Sequence, residues 1–392
     1  MSTHGLRAPA PGGVGGSAHA AVRTVGALRL PEFVLFALLI MEGSWFSLPL
    51  PLNQVAMMGI IALAVTRRPQ VRPVGMELLV PALAIGLFYL GMISMFTDTS
   101  EFASDWTRRL IRLALTSLLI LVLASGRIDW RSGLAGLGTA MIGNAVAFYA
   151  GLAPDTYGGA LSGFFEDKNV AGLTYSVIGV LMIGAVDRRW LKVALVITFA
   201  ALVWLTGSRT SITAFAAGVL WLVAAPRLAV LGRIVLGLLI YFGVGLLAED
   251  YARIGTFSDR EGSDLLRHRI DAASQLKVEE AGFFGTGLGE AYVVFEDQPG
   301  RIWYFHNSFW TALVEGGWPW LLLVLGITVI VALRPLTRTL GSREIAAQAA
   351  AVALLICAWR LGEVLFTIQW ALVIAFALYA RARAEAPPGG SG

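Results

Sequence analysis

Charge is scarce in this sequence. Only 14% of its 392 residues are Asp, Glu, Lys or Arg, whereas 57% are apolar and the mean hydropathy is +0.71. A soluble domain carries about 25% charged and about 45–50% apolar residues. A soluble chain with so little charge could not cover its own surface, so the composition excludes a soluble protein and indicates a polytopic membrane protein.

Cysteine is almost absent as well. Cys357 is the one cysteine and lies inside an apolar run, so no intrachain disulfide can form and we expect a small core residue. The single cysteine and the lack of a glycine period exclude disulfide-rich and collagen-like proteins. The net charge of +4 does not indicate a nucleic-acid partner, because most Lys and Arg residues lie between apolar runs, where they orient a chain in the membrane.

Apolar segments fill the chain between two short tails. A membrane-spanning helix needs about 17–25 apolar residues. The sequence therefore predicts an all-α polytopic integral membrane protein with about twelve transmembrane helices. The predicted segments are 32–48, 52–66, 77–96, 108–125, 133–151, 169–186, 191–206, 210–225, 232–248, 307–333, 344–360 and 363–380.

These segments divide the chain into five parts. Residues 1–28 and 384–392 are rich in Gly, Ala and Pro, and we expect both to be disordered tails. Residues 1–28 do not resemble a signal peptide, because no small-residue cleavage site follows the apolar run. Residues 29–248 hold the first nine predicted helices, 249–306 form one long loop, and 307–383 hold the last three helices.

The distribution of Lys and Arg predicts the orientation. With the N-terminus in the cytoplasm, 18 cations fall in cytoplasmic segments and 12 on the other side, and six of those 12 belong to the long loop. Long loops contribute little to orientation, so the short connections favour this arrangement by 18 to 6. We therefore expect both termini to be cytoplasmic and residues 249–306 to be extracytoplasmic.

Several cations stand on the side that the orientation rule disfavours. A cation inside the membrane costs about 2.5–3.5 kcal/mol on insertion scales. Any one of them could reach the interface by extending its side chain, but five at one level favour an anionic ligand outside the membrane. The five residues are Arg108, Arg109, Arg112, Lys168 and Arg209.

The long loop contains a predicted amphipathic helix over 263–280. Leu266, Ile270 and Ala273 form its apolar stripe, and Arg267, Asp271 and Ser274 form a polar stripe. Arg267 and Asp271 are four residues apart, so an ordinary helical ion pair is one interpretation of these two.

A glycine-rich stretch, Gly285-Thr286-Gly287-Leu288-Gly289, follows the predicted helix. It is not a nucleotide-binding loop, because the spacing is wrong and no strand–turn–helix pattern surrounds it. We expect these glycines to permit positive φ angles or close approach of the backbone.

Two of the four histidines, His268 and His306, lie in the long loop, and the other two, His4 and His19, lie in the first tail. His306 stands where the loop returns to the membrane. Histidine is the commonest general base because its ordinary pKa lies nearest neutrality. His306 is therefore the candidate base, with a structural role as the alternative. No second His or Cys stands at ligand spacing, so no metal is expected.

Four stretches, taken together and in this order, resemble the O-antigen ligase and polymerase (Wzy-type) superfamily of membrane glycosyltransferases. They cover about residues 160–325. Two positions depart from the family pattern: Asp271 stands where many members have Trp, and Asp167 where relatives often have His. The four stretches are Lys168-Asn169 at the start of a helix, Thr206-Gly207-Ser208-Arg209-Thr210 between two helices, Arg267 eighteen residues before Gly285, and His306-Asn307-Ser308 followed by Glu315-Gly316-Gly317.

The resemblance implies a GT-C-like fold and an inverting, metal-independent glycosyltransferase without a cofactor. Its donor would be a glycan on a polyprenyl diphosphate, and its acceptor a hydroxyl of a glycan or glycolipid, at the outer face of a bacterial cytoplasmic membrane. The implied catalytic residues are His306 as the base and Arg209 and Arg267 on the diphosphate. The further substrate-binding candidates are Lys168, Asn169, Arg269 and Asn307, to which the cation pattern adds Arg108, Arg109 and Arg112.

Two other functions remain open at this point. A lipid-linked glycan flippase or secondary transporter would suit twelve helices, but such carriers often show repeat symmetry between two halves, and we find none. A peptidoglycan-type polymerase would use an outer-loop aspartate, for which Asp250, Asp259 and Asp264 are candidates. Within the first interpretation, ligase and polymerase share the same donor chemistry, and we expect His306, Arg209 and Arg267 to converge.

Overall fold

The computed structural model describes residues 28–43, 50–98, 100–250, 261–298 and 300–385, without the side chains of 247–250 and 261–264. The predictions for the first tail up to residue 27, for 386–392 and for 251–260 of the long loop lie outside these residues. So do His4, His19 and Asp259, as well as the side chains of Asp250 and Asp264.

The described part of the chain is nearly all α-helical, with one small β-hairpin. Each of the twelve predicted apolar segments coincides with a helix, and one further helix, α10, lies in the long loop. The elements are α1 Leu30–Ala37 with a 3₁₀ turn Leu38–Ile40, α2 Leu52–Val65, α3 Met76–Phe96, α4 Trp106–Ala124, α5 Trp130–Tyr149, α6 Lys168–Ala185, α7 Arg189–Leu205, α8 Arg209–Ala224 with a 3₁₀ turn Ala225–Arg227, α9 Val230–Asp250, α10 Glu261–Glu280, β1 Tyr292–Val294, β2 Ile302–Tyr304, α11 Ser308–Ile327 with a π-helical turn Thr328–Leu333, α12 Ser342–Arg360 and α13 Ile368–Glu385.

Five of these helices are long and apolar enough to cross a membrane, judged by length and composition within the described residues. They are α3, α6, α8 with its 3₁₀ turn, α11 with its π-helical turn, and α12. The segments Leu30–Ile40, Leu52–Val65 and Val230–Leu246 are apolar but shorter. The chain therefore has the character of a membrane protein, and the full number of twelve spans stays a prediction.

Two predicted segments are shorter as helices than their apolar composition suggested. In the segment 32–48, of which the structure describes residues up to 43, the helix ends at Ile40, and the segment 363–380 becomes helical only at Ile368. In each segment the non-helical part contains a carboxylate, Glu42 in the first and Glu363 in the second. Both carboxylates consequently lie in non-helical connections and line a cavity between the helices.

Small residues fix how α6, α8 and α12 pack. A Cβ placed on Gly172 of α6 would lie 2.4 Å from Oγ of Ser211, and one placed on Gly218 of α8 would lie 2.7 Å from Val180. The residue numbers of both partners increase from the first contact to the second, so α6 and α8 run parallel. Seven alanines of α12 are completely buried, which permits the close approach typical of membrane helices. They are Ala346, Ala347, Ala349, Ala350, Ala351, Ala353 and Ala358.

One end of the bundle collects most of the polar residues, and we call it the polar end: the end at which α4, α6, α8 and α11 begin. Helix α12 runs antiparallel to α6. Ser176 in the middle of α6 contacts Cys357 near the end of α12 at 3.8 Å, whereas Gly184 at the end of α6 packs against Ala346 near the start of α12. The hydroxyl of Ser308, which begins α11, donates to the carbonyl of Leu361 just after α12. Cys357 is fully buried, as expected of a core residue.

Helix α10 and the hairpin form a second, smaller packing unit at the polar end. The predicted helix 263–280 is confirmed by α10, although Ser274, assigned to the polar stripe, is fully buried and donates to the carbonyl of Ile270. Ile270, Phe305 and Val314 belong to one apolar cluster that is separate from the main core. The hairpin was not predicted, because strands of three residues leave no periodic pattern.

The glycine-rich stretch after α10 adopts the backbone geometry expected of it. Gly285, Gly287 and Gly289 have φ angles of 80°, 101° and 92°. A Cβ on Gly289 would lie 2.3 Å from the carbonyl oxygen of Ser104, so this turn also approaches the start of α4 closely. The predicted positive φ angles and close approach are both confirmed.

Candidate functional site

His306 faces a carboxylate at the polar end. Its Nδ1 atom lies 3.5 Å from Oδ1 of Asp271 on α10, and both side chains are about a third exposed, at 30% and 31%. Neither atom forms a hydrogen bond within the described residues. A catalytic hydrogen bond is often long in a protein without substrate and shortens when substrate binds, so this separation suits a histidine oriented by an acid.

The backbone around His306 is held tightly. Phe305 is buried, and a Cβ on Gly362 would lie only 1.8 Å from its carbonyl oxygen. The side chain of Asn307 caps α11 by accepting from the amides of Phe309 and Trp310 at 2.9 and 3.3 Å. Asn307, predicted to bind substrate, therefore uses its carbonyl oxygen to start the helix that follows His306.

Helix α10 presents three of the residues that the sequence singled out. Arg267 lies one turn before Asp271, so the two share the face of α10 that meets His306. Arg269 instead pairs with Asp297, with N–O distances of 2.8 and 2.5 Å, and lies 4.0 Å from the Phe295 ring. This hydrogen bonding lowers the pKa of Asp297.

His268, the other loop histidine described by the structure, is exposed on the same helix. Its position differs from that of His306, whose Nδ1 atom is buried beside Asp271. The two histidines therefore offer a matched pair for testing which imidazole the chemistry needs.

The starts of α6 and α8 bring Lys168, Asn169 and Arg209 to the same end of the bundle. Gly172, one turn after Lys168, packs against Ser211 and Ser208, and Ser208 precedes Arg209. Ser208 caps α8. Two parallel helices thus begin side by side, and the N-terminus of a helix carries a partial positive charge that favours anions.

Asp167 organises the start of α6. Its carboxylate caps the helix by accepting from the amide of Asn169 at 2.6 Å and also accepts from the hydroxyl of Tyr157 at 2.9 Å. Lys168 lies 5.1 Å from the centre of the Tyr157 ring. Burial, followed by the nearby Asp167 carboxylate, raises the pKa of Tyr157 to about 12, so this hydroxyl remains a hydrogen-bond donor at neutral pH.

The three arginines at the start of α4 are engaged by carboxylates. Arg109 is mostly buried, lies 2.7 Å from Glu315 and also pairs with Glu363. Arg112 lies 3.1 Å from Glu363. Arg108 is 88% exposed and lies 3.3 Å from Asp105, which caps α4.

Glu363 lies in the connection between α12 and α13, between two guanidinium groups. Burial acts to raise the pKa of its carboxyl, but Arg109 and Arg112 outweigh that effect and lower the pKa to about 2. Glu315 also accepts from the amide of Gly289 at 2.9 Å. Arg109 therefore links α4, α11 and the α12–α13 connection, and its charge is largely compensated within the chain.

A cavity of about 230 Å³ lies between these groups. Its wall includes Val170 beside Asn169, Ser308 two residues after His306, and the paired side chains of Arg109 and Arg112. Glu42 also lines it and, through its amide, donates to the carbonyl of Phe164 at 3.1 Å. Within the described residues, no cluster of three or more His, Cys, Asp or Glu side chains is arranged to hold a metal ion.

The structure thus sorts the ten predicted site residues into groups. Lys168, Asn169 and Arg209 lie together at the starts of α6 and α8. His306 faces Asp271, and Arg267 is one helical turn before Asp271. Arg108, Arg109, Arg112 and Arg269 each pair with an acid, and Asn307 caps α11.

Sequence reasoning missed three acids of this region. Asp271 was interpreted as the helical partner of Arg267, and Glu42 and Glu363 were absorbed into apolar segments. The signal available for the last two was a single carboxylate inside a predicted membrane helix, which is costly and therefore marks a functional or paired residue.

No protein-family model matches the chain, and no curated protein matches it. What the chain does has to be inferred from the chemistry of the polar end.

Proposed function

We propose that the protein is an inverting, metal-independent glycosyltransferase that moves a polyprenyl-diphosphate-linked glycan onto a hydroxyl of a glycan or glycolipid. The observation that carries this proposal is the pairing of His306 with Asp271 at 3.5 Å, one helical turn from Arg267. The resemblance of the surrounding residues to O-antigen ligases and polymerases supplies the substrate class. Both enzyme types use this chemistry, so the proposal covers either.

The base in this mechanism is the imidazole of His306. Nδ1 of His306 lies 3.5 Å from Asp271. In the proposed mechanism Nδ1 carries a proton that faces Asp271, and Nε2 takes the proton of the acceptor hydroxyl. The acceptor oxygen then forms a bond to the anomeric carbon while the bond from that carbon to the diphosphate oxygen breaks. The diphosphate leaves with the bonding electron pair, and the single displacement inverts the anomeric configuration.

The leaving group needs cations more than it needs an acid, because diphosphate is a weak base. Arg267 lies on the face of α10 that meets His306, and Arg209 and Lys168 lie at the starts of two parallel helices. Guanidinium groups bind phosphate oxygens through two parallel hydrogen bonds. We assign donor contacts to these three residues and to Asn169.

We place this reaction at the outer face of a bacterial cytoplasmic membrane, with both termini in the cytoplasm. The support is the bias of 18 to 6 in the short connections, which puts the polar end outside. A donor lipid in the outer leaflet would then present its diphosphate to the polar end.

The test is transfer of a labelled glycan by purified protein in detergent, from a polyprenyl diphosphate donor to a sugar acceptor. We expect His306→Ala to lower the rate by about 10²–10⁴-fold, the usual contribution of a general base. The product should have the opposite anomeric configuration to the donor. His268→Ala is the matched control, because this histidine is exposed on α10, and it should keep near-normal activity.

Near-normal transfer by His306→Ala at unchanged protein abundance would contradict the base assignment. Translocation of donor lipid across vesicles by the native protein, with no transfer in either system, would replace the proposal with a transporter.

A further inference from the structure

A second cavity, of about 670 Å³, lies between α8, α9, α11 and α12 and extends from Arg233 to Asn307 at the polar end. Its wall is almost entirely apolar and aromatic, and we call it the apolar cavity. Tyr241 and Trp359 stack in its wall with ring centres 4.9 Å apart. Its volume lies within the range of about 300–1,000 Å³ typical of cavities that bind small organic ligands.

Arg233 lies at the opposite end of this cavity from Trp359. It is the one charged side chain among the described residues that line the cavity, and only 3% of it is exposed. One Nη atom donates to the carbonyl of Thr337, and Nε has no hydrogen-bond partner. No carboxylate of the described residues pairs with Arg233, whereas its neighbour Arg334 is paired with Glu344.

A buried guanidinium keeps its charge, since its proton is not lost in proteins. Burial of a charge without a counter-ion is strongly unfavourable. An anion beside Arg233 would compensate this charge. Such an anion would carry an apolar group, because the lining beyond Arg233 is apolar or aromatic apart from Asn307 and Gln348.

The length of the cavity indicates what that apolar group is. Eleven residues of α9 separate Arg233 from Val244, and eleven of α12 separate Gln348 from Trp359, which is about 17 Å along each helix at 1.5 Å per residue. Half of a hydrocarbon core of about 30 Å is about 15 Å. The cavity is thus about as long as one acyl chain.

We infer that the apolar cavity binds an anionic phospholipid, with its phosphate beside Arg233 and one acyl chain extending toward Tyr241 and Trp359. The lipid comes from the leaflet at the α9 start, which is the cytoplasmic leaflet in the topology given above. Anionic lipids give that leaflet a negative surface potential. Leu238 and Tyr241 are each more than half exposed, so the α9 wall is accessible to a lipid.

The experiment compares purified protein in mixed micelles that contain phosphatidylglycerol or phosphatidylcholine with identical acyl chains. Native mass spectrometry should detect one retained phosphatidylglycerol per chain, and that lipid should raise the melting temperature more than phosphatidylcholine does. Arg233→Gln should weaken retention by about tenfold or more, because it removes a charge-assisted hydrogen bond. Arg227→Gln is the matched control, since Arg227 is an exposed arginine near the same end of the bundle.

A second variant separates loss of the site from loss of the fold. Gly237→Leu keeps Arg233 but extends a side chain toward Trp221, whose ring lies 3.7 Å from the new Cβ. It should also lose retained phosphatidylglycerol while melting normally in phosphatidylcholine. Equal retention of the two lipids by the native protein, or unchanged phosphatidylglycerol retention by Arg233→Gln, would overturn the inference.

Discussion

The carboxylate of Asp271 lies 3.5 Å from Nδ1 of His306, close enough to orient the ring when substrate binds. If the Asp271 carboxylate accepts a hydrogen bond from Nδ1 of His306, Asp271→Asn should lower kcat by at least tenfold. The loss should not exceed the roughly 10²–10⁴-fold that a general base contributes. The KM for donor should change little, because Asp271 is not assigned to the diphosphate. Steady-state transfer kinetics measure both values.

Asp297→Asn provides the control for Asp271→Asn, because Asp297 is an exposed acid that pairs with Arg269 on the same helix. This variant should keep kcat near that of the native protein. An Asp271→Asn variant with native kcat would show that His306 does not depend on its neighbour.

At single residues, the sequence suggested candidate groups but not their partners. His306 stands out by residue type and position as a candidate base, whereas Arg267 was suggested as a phosphate ligand by the family resemblance. Asp271 could pair with Arg267 within α10 or with a residue distant in sequence, and the fold brings it to within 3.5 Å of His306. Glu363 and Arg109 are 254 residues apart in sequence, so no local pattern could pair them.

Among the elements, the start of α4 is tied to α11 by the buried pair of Arg109 and Glu315. Glu315→Gln should lower the free energy of unfolding by about 1–3 kcal/mol, because the buried guanidinium loses one charged acceptor. Thermal melting in detergent measures the effect. Arg108→Gln is the control and should melt like the native protein, because the pair of Arg108 with Asp105 is exposed.

A Glu315→Gln variant that melts like the native protein would show that Glu363 alone satisfies Arg109. The melting curves of Arg109→Met and Glu315→Gln would then distinguish the contributions of Glu315 and Glu363 to stability. Only Arg109→Met removes the cation that both acids share.

The helices themselves were predictable because apolar runs of this length have few alternatives in a membrane. Their ends were less so. The predicted segments 32–48 and 363–380 include Glu42 and Glu363, because one charged residue changes the mean composition of an apolar segment very little. In the folded chain both acids lie in connections between helices. The hairpin at 292–304 was missed because its register depends on pairing with itself rather than on a periodic pattern.

At the scale of the whole molecule, the proposed orientation in the membrane can be tested without a substrate. In a Cys357→Ala background, Glu296→Cys in the hairpin should react with a membrane-impermeant maleimide in intact cells, and Arg338→Cys should react only after lysis. Both positions are exposed, and they lie at opposite ends of the bundle. The measurement is labelling before and after lysis, and the reverse pattern would invert the topology and place the polar end in the cytoplasm.

The division of the chain into two apolar clusters has a mechanical consequence. Asp271 and His306 flank Ile270 and Phe305 of the small cluster, whereas Lys168 and Arg209 begin helices that interlock in the large one. His306 leads directly into α11, and the backbone at Phe305 packs against Gly362, so a shift of α10 would move the acid relative to the imidazole. The alignment of the proton-accepting pair therefore depends on how firmly α10 packs on the small cluster, which also contains Val314 of α11.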